Sequence, residues 1–436
     1  MIVYKQLGLL LSLLRANHSF RFYMLYSFFQ KALFLTLILL GMLPIDKSAQ
    51  IQDLTEDGVS AFIPFEKHGD FLVVRGKMFG VVNLNLIFDT GAENVILFDR
   101  IYTDIFETEY DRRIPVFGAD LSVELFGLVA RNIDLQVGST QPRTLDILVL
   151  EENYSNIDQI LGIEIHGIVG AAFFSDYVVE INNRGRYIAL HRLENFSYRE
   201  SRFETHPITI INRKPYLDVG LVMPGKDSLE LRFLLDTGAG LPLLIHINTH
   251  PALELPDGVV TGRLGVGLGG YLRGYLGRLD NFELWNRRFD GVITNYQDLD
   301  TLVFKVDHLH RQGIIGNQLL SRFHIYINYP RSELYIRPYR RYDRPFKFDR
   351  SGLTIIATGA NLRQYYILDV LKGSPAHEAG LKRGDRLLTF QRLPAHWFHL
   401  NTIKRKLKKR EGKNIRMKIE RAGEEEIFSF KLEELF

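Results

Sequence analysis

The chain of 436 residues is 46% hydrophobic and 24% charged, so it is long enough for roughly two to four domains and too apolar for a disordered polymer. Its 54 Lys and Arg residues against 51 Asp and Glu leave a formal charge of +3, which provides no global basic field for nucleic acid. The sequence contains no cysteine, which excludes disulfides, thiol nucleophiles and thiolate-bound metals.

The N-terminal segment predicts export. An apolar run at residues 32–43 follows Lys31 and ends at Pro44. This run is shorter than the about 20 apolar residues that span a bilayer and has the length of a signal-peptide core, and the small residue Ala49 offers a cleavage site. We expect residues 1–49 to be a cleaved export signal or, alternatively, an uncleaved anchor that provides the only membrane contact. Either case predicts a periplasmic, secreted or envelope-associated protein.

An internal repeat organises residues 60–340. The runs Asp89-Thr90-Gly91-Ala92 and Asp236-Thr237-Gly238-Ala239 each lie between two β-type apolar segments. At matching distances downstream, each is followed by a segment of two aliphatic residues and a glycine, Ile168-Val169-Gly170 and Ile314-Ile315-Gly316. One Asp-Thr-Gly alone is typical of an ordinary turn, but two with matched partners indicate a duplicated β-rich unit.

This duplicated pattern resembles the aspartic proteases, specifically their retroviral-type branch. The resemblance implies a mainly β fold in which two homologous acid-protease-like β-barrel lobes, residues 50–205 and 206–345, form one cleft. It implies that Asp89 and Asp236 are the catalytic pair. The same resemblance implies loop support from Thr90, Gly91, Thr237 and Gly238, and threading strands at Ile168, Val169, Gly170, Ile314, Ile315 and Gly316.

The residue types suit that chemistry. Two carboxyls held close cannot both ionise, so they share one proton and titrate as a pair. The charged member takes a proton from a bound water, which attacks the amide carbonyl, and the protonated member supports the oxyanion. No covalent intermediate, cofactor or metal is required. By the family pattern, the two threonines bond to the opposite loop, and the two glycines permit close backbone approach.

The fourth residue of each turn bears on the pH of activity. Pepsin-type enzymes carry Ser or Thr there, and the hydroxyl can stabilise the ionised aspartate. Ala92 and Ala239 donate no such bond, as in retroviral-type enzymes, so we expect activity at mildly acidic to neutral pH.

A glycine-rich motif follows in the second copy. Residues 265–270 match G-x-G-x-x-G, but the alternating, glycine-broken sequence after them predicts a hairpin and not the helix of a dinucleotide site. The resemblance implies that this hairpin is a mobile flap over substrate. The corresponding segment of the first copy is Phe117-Gly118-Ala119-Asp120.

The C-terminal residues, 346–436, resemble a PDZ domain of the bacterial arrangement. The resemblance rests on Gly373-Ser374-Pro375-Ala376, Ala379-Gly380-Leu381 and Gly384-Asp385. It implies a small α+β domain whose loop at Gly352 and Leu353 receives the terminal carboxylate of a peptide, while that peptide adds a strand.

Residues 404–410 form a dense basic run. Ile403 and Leu407 lie four residues apart, which predicts a helix with a narrow apolar stripe and a solvated basic face. Attraction of acidic peptides or of a phospholipid surface is the alternative interpretation.

The sequence therefore predicts an exported, monomeric aspartic endopeptidase that acts on polypeptides, with a PDZ domain that binds C-terminal peptides or regulates the cleft. It contains no H-E-x-x-H, G-x-S-x-G or G-x-x-x-x-G-K-[ST] motif for metal-dependent, serine-type or nucleotide-driven hydrolysis. No nucleic-acid partner is expected. The alternative is a catalytically inactive peptide-binding adaptor that uses the same cleft and PDZ domain.

Overall fold

The computed structural model describes residues 59–117, 124–153, 155–222, 228–268, 270–299 and 311–436. The predicted export segment, residues 1–49, and the predicted first-copy flap residues Gly118, Ala119 and Asp120 lie outside the described residues. None of the helices in these ranges is long and apolar enough to cross a membrane. The protein is mainly β, as predicted.

In the first repeat, predicted at residues 50–205, the described residues from 59 onward form strands joined by tight turns. Its strands are β1 (Val59–His68), β2 (Phe71–Met78), β3 (Val82–Phe88), β4 (Ile96–Leu97), β5 (Tyr110–Phe117), β6 (Glu124–Val137), β7 (Arg143–Leu150), β8 (Gly167–Val169), β9 (Val178–Asn182) and β10 (Tyr187–His191). Short helices α1 (Ile101–Asp104) and α2 (Ile157–Leu161) interrupt them, with 3-10 turns at Ala171–Phe173, Leu193–Asn195 and Glu200–Arg202. The second half of strand β2 shows the cause: Val74, Gly76 and Met78 are buried and Arg75 and Lys77 are exposed, the period of two that a half-buried strand requires.

The second repeat, residues 206–345, repeats this plan. Its strands are β11 (Glu204–Pro207), β12 (Thr209–Ile211), β13 (Lys214–Val222), β14 (Ser228–Asp236), β15 (Leu243–His246), β16 (Val260–Gly267), β17 (Gly270–Leu279), β18 (Phe282–Leu284), β19 (Arg287–Phe289), β20 (Val292–Gln297), β21 (Gly313–Gly316), β22 (Phe323–Asn328) and β23 (Glu333–Pro338). A 3-10 turn at Ile247–Thr249 and the helix α3 (Asn317–Leu320) complete it. The predicted boundary between the repeats, at residues 205 and 206, falls inside β11.

Seven strands take the same order in both repeats. The order is β2-β3-β8-β4-β7-β6-β5 in the first and β13-β14-β21-β15-β20-β17-β16 in the second. Strands β9 and β22 pair antiparallel where the repeats meet, with Ile181 opposite Ile325 and Val179 opposite Ile327. One buried apolar cluster draws on both repeats, so they are joined by main-chain hydrogen bonds and by a common core.

A buried charged network lies where β9 and β22 pair. Glu180 on β9 accepts hydrogen bonds from Nε2 of His191 at 3.0 Å, Nε2 of His324 at 2.7 Å and the hydroxyl of Tyr187 at 2.9 Å. Burial opposes ionisation of Glu180, but the hydrogen bonds from the two histidines outweigh it and lower its pKa to about 2. Arg337 donates to Nδ1 of His324 at 2.9 Å, which leaves Nε2 as the protonated nitrogen of that ring.

The C-terminal domain has its own sheet and core. Its elements are β24 (Leu353–Thr358), β25 (Gln364–Val370), α4 (Pro375–Glu378), β26 (Arg386–Phe390), β27 (Leu393–Pro394), a 3-10 turn at Ala395–Trp397, α5 (Leu400–Leu407), β28 (Asn414–Arg421) and β29 (Glu424–Lys431). Phe346, the predicted first residue of this domain, packs in the core of the repeats, whereas Leu353 is in the separate C-terminal core. The change of core therefore falls between these two residues.

The basic run begins in α5, as predicted, and Ile403 and Leu407 are its buried stripe. The predicted solvated face is wrong at one position. The amine of Lys404 donates to the carbonyl oxygen of Ile160 in the first repeat at 2.7 Å. Sequence periodicity places Lys404 beside the apolar stripe but carries no information on which element packs against that edge.

Candidate functional site

The two Asp-Thr-Gly turns bring Asp89 and Asp236 together. Each turn follows the end of a strand, β3 and β14, and the two carboxyl groups are hydrogen-bonded to one another. An ideal Cβ at Gly91 would lie 2.5 Å from Cγ of Asp236, and one at Gly238 would lie closer still to Cγ of Asp89. Only glycine admits the opposite carboxyl at these positions.

Reciprocal threonine bonds hold the two turns in place. The N–H of Thr90 donates to Oγ1 of Thr237 at 3.1 Å, and the N–H of Thr237 donates to Oγ1 of Thr90 at 3.1 Å. The hydroxyls donate across as well, from Thr90 to the carbonyl of Leu235 at 2.7 Å and from Thr237 to that of Phe88 at 2.8 Å. Both threonines are buried, so no water competes for these four bonds.

Backbone donors orient each carboxylate. The second and third N–H groups after Asp89 donate to its Oδ1 at 2.7 and 3.1 Å, and those after Asp236 donate to its Oδ1 at 2.7 and 2.9 Å. One oxygen of each carboxyl is therefore fixed by its own turn, and Oδ2 lies outside these bonds.

The pair retains a proton. Burial raises the pKa of Asp89 well above its ordinary value, and the charge of Asp236 raises it further. Burial also raises the pKa of Asp236, but the hydrogen bond from Asp89 and the positive charge of Arg311 oppose that rise. Because both pKa values are raised, the two carboxyls retain one proton between them and titrate as a pair.

The predicted threading strands lie beneath the two turns. Strand β8 runs parallel to β3, and the carbonyl of Val169 accepts the N–H of Asp89 at 3.1 Å. Strand β21 runs parallel to β14, which places Gly316 opposite Asp236. A Cβ at Gly170 or at Gly316 would overlap a carbonyl oxygen of the turn above it. These strands contain the remaining predicted threading residues, Ile168, Ile314 and Ile315.

The glycine-rich motif forms the hairpin that the sequence predicts. Strands β16 and β17 pair antiparallel, with Gly267 opposite Gly270, and no helix follows as a dinucleotide site would need. Leu268 at the turn packs against a buried cluster of the first repeat that includes Ile96 and Leu148. The hairpin of one repeat thus reaches the other.

Arg311 is a residue of this site that the sequence interpretation missed. It is buried, and its positive charge interacts with Asp236, Asp89 and Tyr216. Burial lowers the pKa of Arg311 and those partners oppose the effect. The sequence does contain a signal for Arg311. When the two repeats are aligned on their threading strands, Arg311 in the second copy stands where the first copy has the apolar residue Ile165.

The loop predicted to bind a peptide carboxylate is engaged internally. The N–H of Gly352 donates to Oδ1 of Asp349 at 2.9 Å, and that of Leu353 donates to Oγ of Ser351 at 3.2 Å. Arg350 beside them donates from Nε to Glu434 at 2.6 Å. A peptide carboxylate at this loop would have to replace the carboxylate of Asp349.

Residues 366–421 match the family model described as a PDZ domain. The match extends from β25 to β28 and includes α4, β26 and α5, so the PDZ prediction is confirmed for this part of the chain. No family match supports the two repeats. No curated protein sequence matches the chain.

Proposed function

We propose that the protein is an aspartic endopeptidase that hydrolyses peptide bonds with a water held between Asp89 and Asp236. The observation that carries this proposal is a buried pair of hydrogen-bonded carboxyls whose turns are locked together by Thr90 and Thr237. The PDZ domain then recognises peptides or regulates access to the pair.

We assign the ionised role to Asp236, because the positive charge of Arg311 favours its ionised form, and the protonated role to Asp89. Ionised Asp236 takes a proton from the water as its oxygen attacks the carbonyl carbon of the substrate, while protonated Asp89 donates to the carbonyl oxygen. A tetrahedral intermediate results. As the C–N bond breaks, Asp236 returns its proton to the amine nitrogen, and Asp89 recovers its own proton from the collapsing hydroxyl. The reaction consumes one water and returns both carboxyls to their starting protonation states.

The surroundings favour this reaction. Burial raises the pKa of both carboxyls, so the pair keeps the proton that the reaction needs, and the fixed Oδ1 atoms reduce the reorganisation needed during proton transfer. The β16–β17 hairpin supplies a cover that can exclude bulk water from the bound peptide.

The test is proteolysis of an unfolded polypeptide, such as reduced and alkylated casein, by the full chain at mildly acidic to neutral pH. The Asp89→Asn and Asp236→Asn variants should each lose activity on the order of 10³-fold or more, because each removes one proton-transfer group. Asp257→Asn alters an exposed aspartate and should retain full activity.

Absence of cleavage by the unaltered chain, combined with retained binding of peptides, would replace the endopeptidase with the adaptor. Equal activity of the Asn variants and the unaltered chain would reject the pair as the source of proteolysis.

A further inference from the structure

The PDZ domain has a sheet edge of the kind that accepts peptides. Strand β24 is the terminal strand of its sheet, and the helix α5 packs beside it. In PDZ domains a peptide adds a strand to such an edge, in the groove between strand and helix. The state of this groove therefore decides what the domain can bind.

A segment of the first repeat occupies one end of the groove. The helix α2 contacts β24, and Gly162, which ends α2, lies between strand and helix. An ideal Cβ at Gly162 would lie 2.9 Å from Cβ of Leu400 on α5 and 3.7 Å from Cβ of Ala357 on β24. No space for an additional side chain remains at that point.

Lys404 fastens the segment to α5. Its amine donates to the carbonyl oxygen of Ile160, which lies in the last turn of α2 where helical carbonyls lack a partner within the helix. Burial lowers the pKa of Lys404 to about 8, with Lys408 acting in the same direction and Asp349 opposing. The hydrogen bond to the carbonyl oxygen of Ile160 replaces part of the hydration that this half-buried lysine loses.

The other end of the groove is also engaged, since Asp349 and Ser351 already accept the N–H groups of Gly352 and Leu353. On its opposite face α2 is held by the first repeat, because Ile157 and Leu161 are buried in that repeat's cluster. The segment therefore packs against the first repeat on one face and against β24 and α5 of the PDZ domain on the other.

We propose that residues 157–162 are the resident ligand of the PDZ groove, so that a peptide with a free carboxyl terminus enters only by displacing them. This inference depends on the PDZ domain and not on proteolysis. One consequence does depend on the proposed function. The segment leads directly into β8, whose Val169 accepts the N–H of Asp89, so its release would loosen the support of the pair.

The first test compares Lys404→Met with Arg405→Met in the full chain. Both variants remove one positive charge from α5, but Arg405 is exposed and only Lys404 bonds to the segment. Amide hydrogen exchange followed by mass spectrometry should show about tenfold faster exchange across residues 157–162 in Lys404→Met and no change in Arg405→Met. Unchanged exchange in Lys404→Met, or equal acceleration in both variants, overturns the proposal.

The second test alters the segment itself and compares Gly162→Ala with Gly258→Ala. Both glycines have positive φ, +69° and +76°, so both variants incur backbone strain, but only the Cβ at residue 162 would meet the PDZ domain. Exchange in β24 and α5 should accelerate in Gly162→Ala alone. If β24 and α5 keep their protection in that variant, the segment is not the ligand of the groove.

Neither readout uses catalysis, so a chain that cleaves nothing still gives a decisive answer. Exchange in β28 and β29 serves as the folding control, because those strands lie at the far side of the PDZ sheet.

Discussion

The two repeats share a framework but differ in what surrounds each aspartate. Both have seven strands in the same order, and both fix Oδ1 of their aspartate with two backbone donors. Beside Asp236 the second repeat adds the buried charge of Arg311, whereas Ile165 takes that position in the first. The backbone is therefore symmetric but the electric field is not, because the positive charge of Arg311 opposes the rise that burial causes in the pKa of Asp236.

The repeats also differ in what their connecting segments contact. The β16–β17 hairpin of the second repeat packs through Leu268 on the first repeat, whereas α2 of the first repeat packs on the PDZ domain. The strands that carry the turns are retained in both copies, and the connections between them have diverged.

The pairing of the repeats can be broken at Glu180. Glu180→Gln should lower the free energy of unfolding by about 3 kcal/mol, because it replaces the buried carboxylate that accepts hydrogen bonds from His191, His324 and Tyr187 with an amide that presents donors to them. Since folding depresses the pKa of Glu180 to about 2, its contribution is present above about pH 4.5 and is lost as pH falls toward 2. Urea unfolding at several pH values measures this. Glu152→Gln, at an exposed glutamate, should change nothing.

The symmetry of the two turns can be tested with Gly91→Ala and Gly238→Ala. Each methyl group would push the opposite carboxyl away, and a displacement of that size should lower kcat/KM roughly 10²-fold in both variants. Gly80→Ala, at an open turn, should affect stability and leave kcat/KM unchanged. A large loss in only one variant would show that the two turns are not equivalent supports.

The asymmetry of the field can be removed with Arg311→Met. Without this positive charge the pKa of Asp236 should rise, because the charge opposes the effect of burial. The acid limb of the pH profile of kcat/KM should therefore move to higher pH. Arg199→Met, at an exposed arginine, is the control. An unmoved acid limb would mean that Arg311 does not set the ionisation of the pair.

The smallest expected effect comes from Ala92→Ser and Ala239→Ser. A hydroxyl at either position adds a donor beside a carboxylate and should lower its pKa, so the acid limb should extend to lower pH. The extension should be larger for Ala239→Ser, because the proposed mechanism requires Asp236 to be the ionised member. Equal extensions would argue that the proton is shared evenly.

Features that depend on local sequence pattern could be predicted from the sequence. The hairpin at residues 265–270, the helix around Ile403 and the PDZ match all follow from periodicity, glycine placement and motif spacing. The engagement of Gly352 by Asp349 was not anticipated, because a motif identifies a loop and not its internal acceptors. The contact of Lys404 with Ile160 joins residues far apart in the chain, which no local pattern reports.

The sequence by itself determined the duplication and the positions of the two Asp-Thr-Gly turns with their threonines and glycines, since these depend on residue type and spacing. Only the tertiary structure decided that the two carboxyls are hydrogen-bonded to one another, that Arg311 lies beside them, and that α2 contacts β24 of the C-terminal domain. The physical reason is that burial and charge act through space, between residues whose separation along the chain carries no information about their distance.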